Sequence, residues 1–535
     1  MPVVLQDACD ENIIRSGAAA APCSKTRGRW ILAATILASS MAFIDGTVVN
    51  VALPALQTNL NATAADVQWV IESYALLLSA LLLVGGSLGD HYGRRRVFVL
   101  GVAIFAVASG LCGFAGNIHQ LIAARAVQGF GAALLVPGSL AIISNSFSEQ
   151  ERGRAIGVWS AFSAITTGIG PVLGGWLIEH VSWRAVFFIN LPLAFAVVLI
   201  SLRHVAENSD KETSRIDWLG AVLAALGLGA VVYGLIESPQ VGFNDRSVIV
   251  ALAAGIILLS LFLFVESHVS QPMLPLTLFR SRTFAGTNLL TFLLYAALGG
   301  TLFFLPLNLI QVQHYSPTAA GAVLLPFILI MSLLSRWSGG LVSRYGARIP
   351  LILGPLITAI GYLLFLLPGI GGNYWTNFFS PVVVLGLGMA ITVAPLTTTV
   401  MGSLARERAG VASGVNNAVA RTASLVAIAV LGVVMLQVFK TNLNRRLTSA
   451  NLPASVVQSL QTQSIKLAAI DIPQNPNGET RLMIRRAVDE SFVSGFRWVM
   501  VIGAALAAGS AVTALFWIKG APAARSVEKR SPGGR

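Results

Sequence analysis

The chain has 535 residues, of which 55% are hydrophobic and 11% are charged, and its formal net charge is +13. Soluble proteins carry roughly 25% charged residues, so this composition excludes a soluble two-domain enzyme. Most Lys and Arg residues lie in short segments between apolar runs, which indicates charge that sets membrane orientation and argues against a nucleic-acid-binding face.

The chain begins with a polar tail, residues 1–29, which has mixed charge and no early apolar core. We therefore expect a disordered cytoplasmic tail and no signal peptide. Cys9 and Cys23 lie in this tail and Cys112 lies in an apolar run, so the sequence predicts no disulfide framework.

The first apolar run, Trp30–Asn50, is long enough to cross a bilayer as a helix, and it contains Asp45. An ionised carboxylate inside a membrane helix costs about 2.5–3.5 kcal/mol on insertion scales, so this side chain must face protein, face a wet cavity or carry a proton. Two interpretations stay open. Asp45 is a proton or cation site in a transport pathway, or it makes an interhelical hydrogen bond that only holds the bundle together.

Fourteen apolar windows of roughly 20 residues follow one another along the chain. Helices satisfy their own backbone hydrogen bonds in lipid, so the windows predict an all-α polytopic membrane protein. Basic residues concentrate in the loops on the side of the N-terminus, which places both termini in the cytoplasm. The windows lie near residues 30–50, 67–89, 97–116, 119–143, 155–178, 185–202, 216–236, 247–267, 284–310, 318–341, 349–368, 376–401, 410–437 and 494–518.

The loop after the second span combines Gly86, Asp90, Gly93 and Arg94. Glycines allow helix ends and a tight turn to approach closely, and an Arg partner would stabilise Asp90 at its helix end. We interpret this loop as a charge latch that opens and closes with transport. The alternative is ordinary positive-inside charge.

Residues 86–96 recur in weaker form at residues 339–349, eight spans later, with Ser343 in place of Asp90. A repeat on the same side of the membrane predicts two parallel bundles related by an axis along the membrane normal. The offset fits two six-helix bundles with two helices inserted between them. The predicted units are the N-terminal bundle (30–203), the linker helices (204–283), the C-terminal bundle (284–518) with a long external loop (439–490), and a cytoplasmic tail (519–535).

The fifth apolar span contains Gly170, Pro171 and Gly174 within a run of small residues, 168–175. Glycines remove side chains from one helix face and allow close packing, while proline removes a backbone hydrogen bond and permits a bend. This pattern favours either a bendable gate between bundles or a small-residue packing face with no gating role.

Three ionisable residues fall at a similar depth in the outer third of their spans: Asp45, Glu72 and Arg125. Each helical residue advances about 1.5 Å, so the spans bring them to one level. We predict that the three form a proton-coupling cluster, in which burial and Arg125 act in opposite directions on the carboxylates. The alternative is that Glu72 extends to the outer membrane interface.

Polar residues near the middle of two later spans predict a substrate cavity. Arg421 lies about ten residues into the thirteenth span, where an unpaired arginine is costly, so it needs a carboxylate, backbone carbonyls, water or substrate. We expect it to share the cavity with one of the acids or to contact substrate; structural ion pairing is the alternative. The other predicted cavity residues are Asn416, Asn417, Asn288 and Tyr295.

The loop at 86–96 and the run 44–54 resemble motifs of the major facilitator superfamily, and in particular of its fourteen-helix drug/proton antiporter family. Segments 125–131, 168–175, 183–192 and 217–220 resemble further motifs of that family, in the same order. The resemblance covers nearly everything from Trp30 to Trp517. It implies the major facilitator fold and favours the gate for 168–175, the motif associated with antiport.

These features predict an antiporter of the multidrug-efflux type in a bacterial inner membrane, which exports small amphipathic or cationic compounds in exchange for protons. We expect no enzymatic activity, no catalytic residue, no metal and no cofactor besides the proton motive force, since no phosphate loop or metal-ligand cluster appears. The expected partners are substrate, protons and lipid; we expect a monomer, and a periplasmic adaptor is a further candidate. The alternatives are an exporter of one endogenous metabolite such as a siderophore, and a receptor or scaffold that transports nothing.

Overall fold

The structure is a computed structural model that describes residues 25–208, 217–404, 409–450, 452–472 and 478–518, and these residues form helices joined by short connections. The helices of the first half are α1 (Lys25–Asn59), α2 (Ala64–Tyr92), α3 (Arg94–Phe114), α4 (Ile118–Ser146), α5 (Glu149–His180), α6 (Ala185–Phe188), α7 (Asn190–His204), α8 (Trp218–Val241) and α9 (Arg246–His268). Those of the second half are α10 (Arg282–Leu307), α11 (Pro317–Ala322), α12 (Leu325–Gly339), α13 (Leu341–Tyr345), α14 (Arg348–Leu364), α15 (Tyr374–Asn377), α16 (Phe379–Gly402), α17 (Ala409–Ser449), α18 (Ala454–Thr462) and α19 (Gly478–Trp517).

Within the described residues, 13 helical segments are long and apolar enough to cross a membrane. Helix α14 is apolar but shorter, with 17 residues, and counting it gives the predicted total of fourteen. The all-helical membrane fold is thus confirmed, and the number of spans approximately so. We call the face on which α1 begins the inner face and the opposite one the outer face, following the predicted orientation.

Local sequence explains where the helices begin. Thr63 and Asp66 form a capping box at the start of α2: the Asp66 amide donates to Thr63 Oγ1 at 3.1 Å, and the Thr63 amide donates to Asp66 Oδ2 at 2.8 Å. Asn117 caps α4 by accepting from the Gln120 amide at 2.9 Å. Such caps satisfy amides that have no partner inside the helix and set the register in which side chains enter the bundle.

Helices α2 and α4 pack closely in the first half, and Gly85 explains how. A Cβ atom on Gly85 would overlap the Ala133 carbonyl oxygen of α4 and lie 3.3 Å from the Leu134 Cα. Gly86 has more room, because its nearest neighbour would be the Pro137 Cβ at 3.8 Å. The close approach of the two backbones therefore depends on Gly85, which the sequence analysis did not single out, rather than on the predicted Gly86.

This contrast gives a matched pair of variants. Gly85→Ala is expected to destabilise the chain by about 1–3 kcal/mol, because α2 and α4 must separate to admit the methyl group. Gly86→Ala adds a methyl group in ordinary van der Waals contact and is expected to change stability little. Thermal unfolding of both variants, purified in detergent, tests the assignment; equal midpoints would contradict it.

The predicted external loop at 439–490 differs from the structure, because α17 continues to Ser449 and α19 begins at Gly478. The reason is an amphipathic seam that hydropathy windows do not detect. Buried Leu443 and Leu447 on α17 belong to the same apolar core as Ile484 and Val488 on α19. Arg446 pairs with Glu490 beside this seam, so polar residues face outward while the apolar stripe joins the helices.

Parts of the predicted tails and loops lie outside the described residues. Helix α1 already begins at Lys25, inside the predicted tail 1–29. Residues 1–24, the predicted tail 519–535 and most of the predicted turn at 473–478 are not among the described residues.

Candidate proton-coupling and substrate site

The first-half bundle encloses a charged pair, Asp45 of α1 and Arg125 of α4, and both residues are 0% exposed. Arg125 Nη1 donates to Asp45 Oδ2, and Arg125 Nε donates to the Val70 carbonyl oxygen at 3.1 Å. A buried ion pair is stable only when its remaining hydrogen-bonding groups are also satisfied. The two predicted residues are therefore brought together in a dry site.

Two amide side chains complete this site. Gln128 Nε2 donates to Asp45 Oδ1 at 2.9 Å, while Gln128 Oε1 accepts from Arg125 Nη1 at 2.7 Å. Asn190 Nδ2 donates to Ser109 Oγ at 3.0 Å and lies 3.5 Å from Asp45 Oδ1. The sequence analysis assigned neither amide a role. Gln128 lies three residues after Arg125 on the same helix, and this spacing was a usable signal because it places both on one face.

Tyr74 of α2 covers the Arg125 guanidinium, with its ring centre 4.2 Å from Arg125 Cζ. Its hydroxyl donates to the Ala42 carbonyl oxygen of α1 at 3.4 Å. A cation over an aromatic face gains more when both are desolvated. Tyr74 thus covers the charged site on the side of α2.

Glu72 does not join this cluster, which corrects the predicted three-residue arrangement. Val70 and Tyr74 of α2 both contact Arg125, and Glu72 lies two residues from each, so at 100° per residue it points to the other side of α2. Its helical neighbours Trp69 and Leu76 pack in an apolar cluster between α2, α8 and α17. Glu72 is 0% exposed, and neither carboxyl oxygen has a hydrogen-bonding partner among the described residues.

The predicted gate residues of α5 lie directly against the helix that carries Asp45. A Cβ atom on Gly170 would overlap Thr47 Oγ1 and lie 3.4 Å from the Ile44 Cα, and a Cβ on Gly174 would overlap Val48. These three α1 residues flank Asp45 within one turn. Helices α1 and α5 are therefore closely packed where the ion pair lies and cannot slide past each other without a backbone shift.

The same segment of α5 contacts the second-half bundle at the outer face. A Cβ atom on Gly175 would overlap the Pro317 carbonyl oxygen of α11, and a Cβ on Gly321 of α11 would overlap the carbonyl oxygen of Pro171. The backbones of α5 and α11 are thus in direct contact at two positions, one at a glycine of each helix. Near the inner end of α5, a Cβ on Gly153 or Gly157 would meet nothing within 4 Å. The halves are in tight contact at the outer end of α5 and not at these inner positions.

A polar bridge between the halves reinforces the outer contact. Gln311, in the π-helical turn after α10, donates to Gln57 Oε1 of α1 at 2.6 Å. Lys466, in the short 3₁₀ helix after α18, donates to Asn61 Oδ1 at 2.8 Å, and its carbonyl oxygen accepts from Gln57 Nε2 at 3.4 Å. The outer segment between α17 and α19 is therefore tied to the first-half bundle.

The inner loop after α2 forms a local ion pair, in which Arg94 Nε donates to Asp90 Oδ1 at 2.7 Å. Gly93 turns the chain with φ of +106°, a conformation that residues with a side chain rarely adopt. Glu207, which the sequence analysis did not single out, anchors the loop from beyond α7: its Oε1 accepts from the Arg95 amide at 3.1 Å. The residues of the predicted latch therefore pair within the first half in this structure.

The predicted cavity residues divide into two groups. Asn416 of α17 donates to Asn288 Oδ1 at 3.2 Å and to Thr291 Oγ1 at 2.7 Å, which joins α17 to α10. Asn417 is exposed and bonds the Ser413 carbonyl oxygen of its own helix. The side-chain amides of Asn416 and Asn288 are thus hydrogen-bonded to each other, while the Asn417 side chain is open to the surroundings of the helix.

The other two predicted cavity residues lie deeper between the halves. The Tyr295 carbonyl oxygen of α10 accepts from Ser424 Oγ of α17, three residues after Arg421, at 3.1 Å. Arg421 is partly exposed and has neither an ion pair nor a hydrogen bond among the described residues, so the alternative of structural ion pairing is absent in this conformation.

Comparison with known proteins identifies the family to which this fold and site belong. Residues 35–428 match the family model described as "Major Facilitator Superfamily". The chain belongs to the major facilitator superfamily. It is therefore a multi-pass membrane transporter that acts on small molecules, and not an enzyme, as the sequence motifs implied.

Characterised relatives extend over nearly the whole chain. It is 33% identical to the tetracenomycin C resistance and export protein of Streptomyces glaucescens, over 96% of each chain. It is 34% identical to the multidrug resistance protein Stp of Mycobacterium tuberculosis, over 89% of each. A bacterial homolog of the human lysosomal transporter Spinster, solved in an inward-facing and unoccupied conformation, superposes with a TM-score of 0.63 at 16% identity, covering 92% of this chain and 98% of that one. At 16% sequence identity, this structural similarity supports a shared fold and nothing further.

Proposed function

We propose that this transporter exports small amphipathic compounds from a bacterial cell in exchange for inward-moving protons. The observation that carries the proposal is the fully buried pair of Asp45 and Arg125, packed against the gate helix α5. The names of the tetracenomycin and Stp relatives support export of small antibiotic-like compounds. In this proposal both termini lie on the cytoplasmic side of an inner membrane, and the proton motive force drives transport without a cofactor.

Protonation of Asp45 would change the balance of forces inside the first-half bundle. A neutral carboxyl no longer compensates the Arg125 charge, so the desolvated guanidinium loses its main stabilisation. Because Ile44, Thr47 and Val48 lie against Gly170 and Gly174, relief of that imbalance by movement of α1 must also move α5. Helix α5 forms the outer contact between the halves, so the proton biases the equilibrium between the two openings.

Glu72 is the second candidate for proton binding. An ionised carboxylate without a donor is strongly disfavoured in a buried apolar environment, so Glu72 carries a proton in this conformation. Its place between α2, α8 and α17 puts it where the two halves and the inserted helices meet. One proton moving inward down 100 mV releases about 2.3 kcal/mol, which suffices to bias a two-state equilibrium.

Inverted membrane vesicles test this function, because export from the cell becomes uptake into the vesicle. We expect uptake of amphipathic dyes when respiration acidifies the vesicle interior, and loss of uptake when a protonophore collapses the gradient. Uptake that continues at the same rate with the protonophore would contradict proton coupling. A chain that moves none of a broad dye panel would contradict export of varied amphipathic compounds and favour either a receptor or an exporter of one metabolite.

A further inference from the structure

Arg421 is a cation deep in the bilayer that has no counter-charge in the part of the chain that the structure describes. It lies twelve residues after the start of α17, about 18 Å along the helix, so its Cα is near mid-membrane. No carboxylate pairs with it among the described residues, and its side chain keeps partial exposure. An arginine at this depth is costly unless it pairs or faces a wet cavity, so the position calls for an anionic partner.

The surroundings of Arg421 place it between the halves of the transporter. Helix α17, which carries it, contacts α10 of the second half, where Ser424 Oγ donates to the Tyr295 carbonyl oxygen at 3.1 Å. It also contacts α2 of the first half, where Gln68 Nε2 donates to the Ile428 carbonyl oxygen at 3.4 Å. Asn417 lies four residues earlier on the same face of α17 and is exposed. Arg421 therefore lies on a helix at the boundary between the halves, with the accessible Asn417 amide one turn away.

Asp45 and Glu72, the two acids that the sequence analysis considered as neighbours of Arg421, have other surroundings. Asp45 is fully compensated by Arg125 and Gln128 behind the Tyr74 ring. Glu72 points into the apolar cluster between α2, α8 and α17. Neither carboxylate is therefore available to neutralise Arg421 or to bind a cation between the halves in this conformation.

We propose that Arg421 binds the negatively charged group of the transported compound, so that the substrates are amphipathic acids. This inference rests on the proposed export function and names its substrate class. A guanidinium offers five donors in a planar fork that matches a carboxylate, sulfonate or phosphate with two parallel hydrogen bonds. The Tyr74 and Tyr295 rings supply apolar faces for the body of the molecule. Tyr74 also covers Arg125, so a substrate that contacted the Tyr74 ring would lie one aromatic ring away from the Asp45 pair.

Equilibrium binding to the purified full chain in detergent tests this proposal without a proton gradient. We expect fluorescein, an anionic dye, to bind the unmodified chain, and Arg421→Gln to weaken that binding roughly tenfold or more, as loss of a charged hydrogen-bonding partner does. Arg421→Lys keeps the charge without the fork and should have a smaller effect. Arg421→Glu should shift the preference to ethidium, a cation. Fluorescence anisotropy of each dye measures its affinity for the unmodified chain and for the three variants.

The control is Arg246→Gln, which removes an exposed arginine at the start of α9 and should bind fluorescein normally. Equal affinity of Arg421→Gln and the unmodified chain for fluorescein would overturn the proposal, as would an unmodified chain that binds ethidium alone or neither dye. Complete displacement of fluorescein by phosphatidylglycerol would assign the anion subsite to a lipid headgroup instead. Since no gradient is present, these outcomes are separate from failure of the vesicle uptake assay.

Discussion

Replacing Asp45 with asparagine is expected to abolish proton-driven dye uptake and to destabilise the purified chain. Asparagine keeps the shape and one acceptor oxygen, but it cannot be ionised, so Arg125 remains charged and uncompensated in a fully buried site. Removing one partner of a buried ion pair costs about 3–5 kcal/mol. Uptake in inverted vesicles and thermal unfolding in detergent measure the two effects.

A second variant separates coupling from folding. Combining Asp45→Asn with Arg125→Gln removes both charges and leaves neutral hydrogen-bonding groups, so the stability should largely recover while proton-driven uptake stays absent. Glu479→Gln, which changes an exposed acid in the first turn of α19, is the matched control and should leave both measurements unchanged. Proton-driven uptake by the double variant would remove Asp45 from the coupling role.

Adding one methyl group at the outer contact between the halves is expected to reduce transport about fivefold or more. A Cβ on Gly175 or Gly321 would overlap a backbone carbonyl oxygen of the facing helix, and backbone cannot rotate away as a side chain can. Overpacking of this kind costs about 1–3 kcal/mol, and each 1.4 kcal/mol corresponds to a tenfold change in the population of the outward-closed state. Gly175→Ala and Gly321→Ala should therefore favour separation of α5 and α11.

Helix α5 supplies its own controls for this prediction. Gly153→Ala and Gly157→Ala add the same methyl group where nothing lies within 4 Å, so transport should be unaffected. In a Thr318→Cys background, a maleimide that does not cross membranes should label the outer face faster when Gly175→Ala is also present. Equal labelling and equal uptake in all four variants would show that the outer contact is not a gate.

Depth in the membrane was predictable from the sequence, whereas orientation around a helix was not. Counting residues from the start of each span placed Asp45 and Arg125 at one level, and the structure joins them. The same counting placed Glu72 beside them, but its position two residues from both Val70 and Tyr74 turns it to the other side of α2. Helical rotation depends on which face the neighbouring helices cover, and no single span contains that information.

Other differences between prediction and structure have equally local causes. Gly85 rather than Gly86 carries the close approach of α2 to α4, because adjacent residues on a helix face directions 100° apart. The helical ends of α17 and α19 were missed because Leu443 and Leu447 form an apolar stripe in an otherwise polar stretch, and averaging over a window removes such a stripe. Gln128 and Asn190 were overlooked because neutral amides gain importance only beside a buried charge.

The pairing of α17 with α19 has a practical consequence for experimental structure determination. Helix α17 has 41 residues, about 60 Å in length, whereas the hydrocarbon core of a bilayer is about 30 Å thick. The outer ends of α17 and α19, held together by the leucine seam and the Arg446–Glu490 pair, form an ordered projection beyond the lipid. In electron micrographs of detergent particles, this projection would mark one end of one half. It would therefore allow the two similar halves to be distinguished during image alignment without a bound antibody fragment.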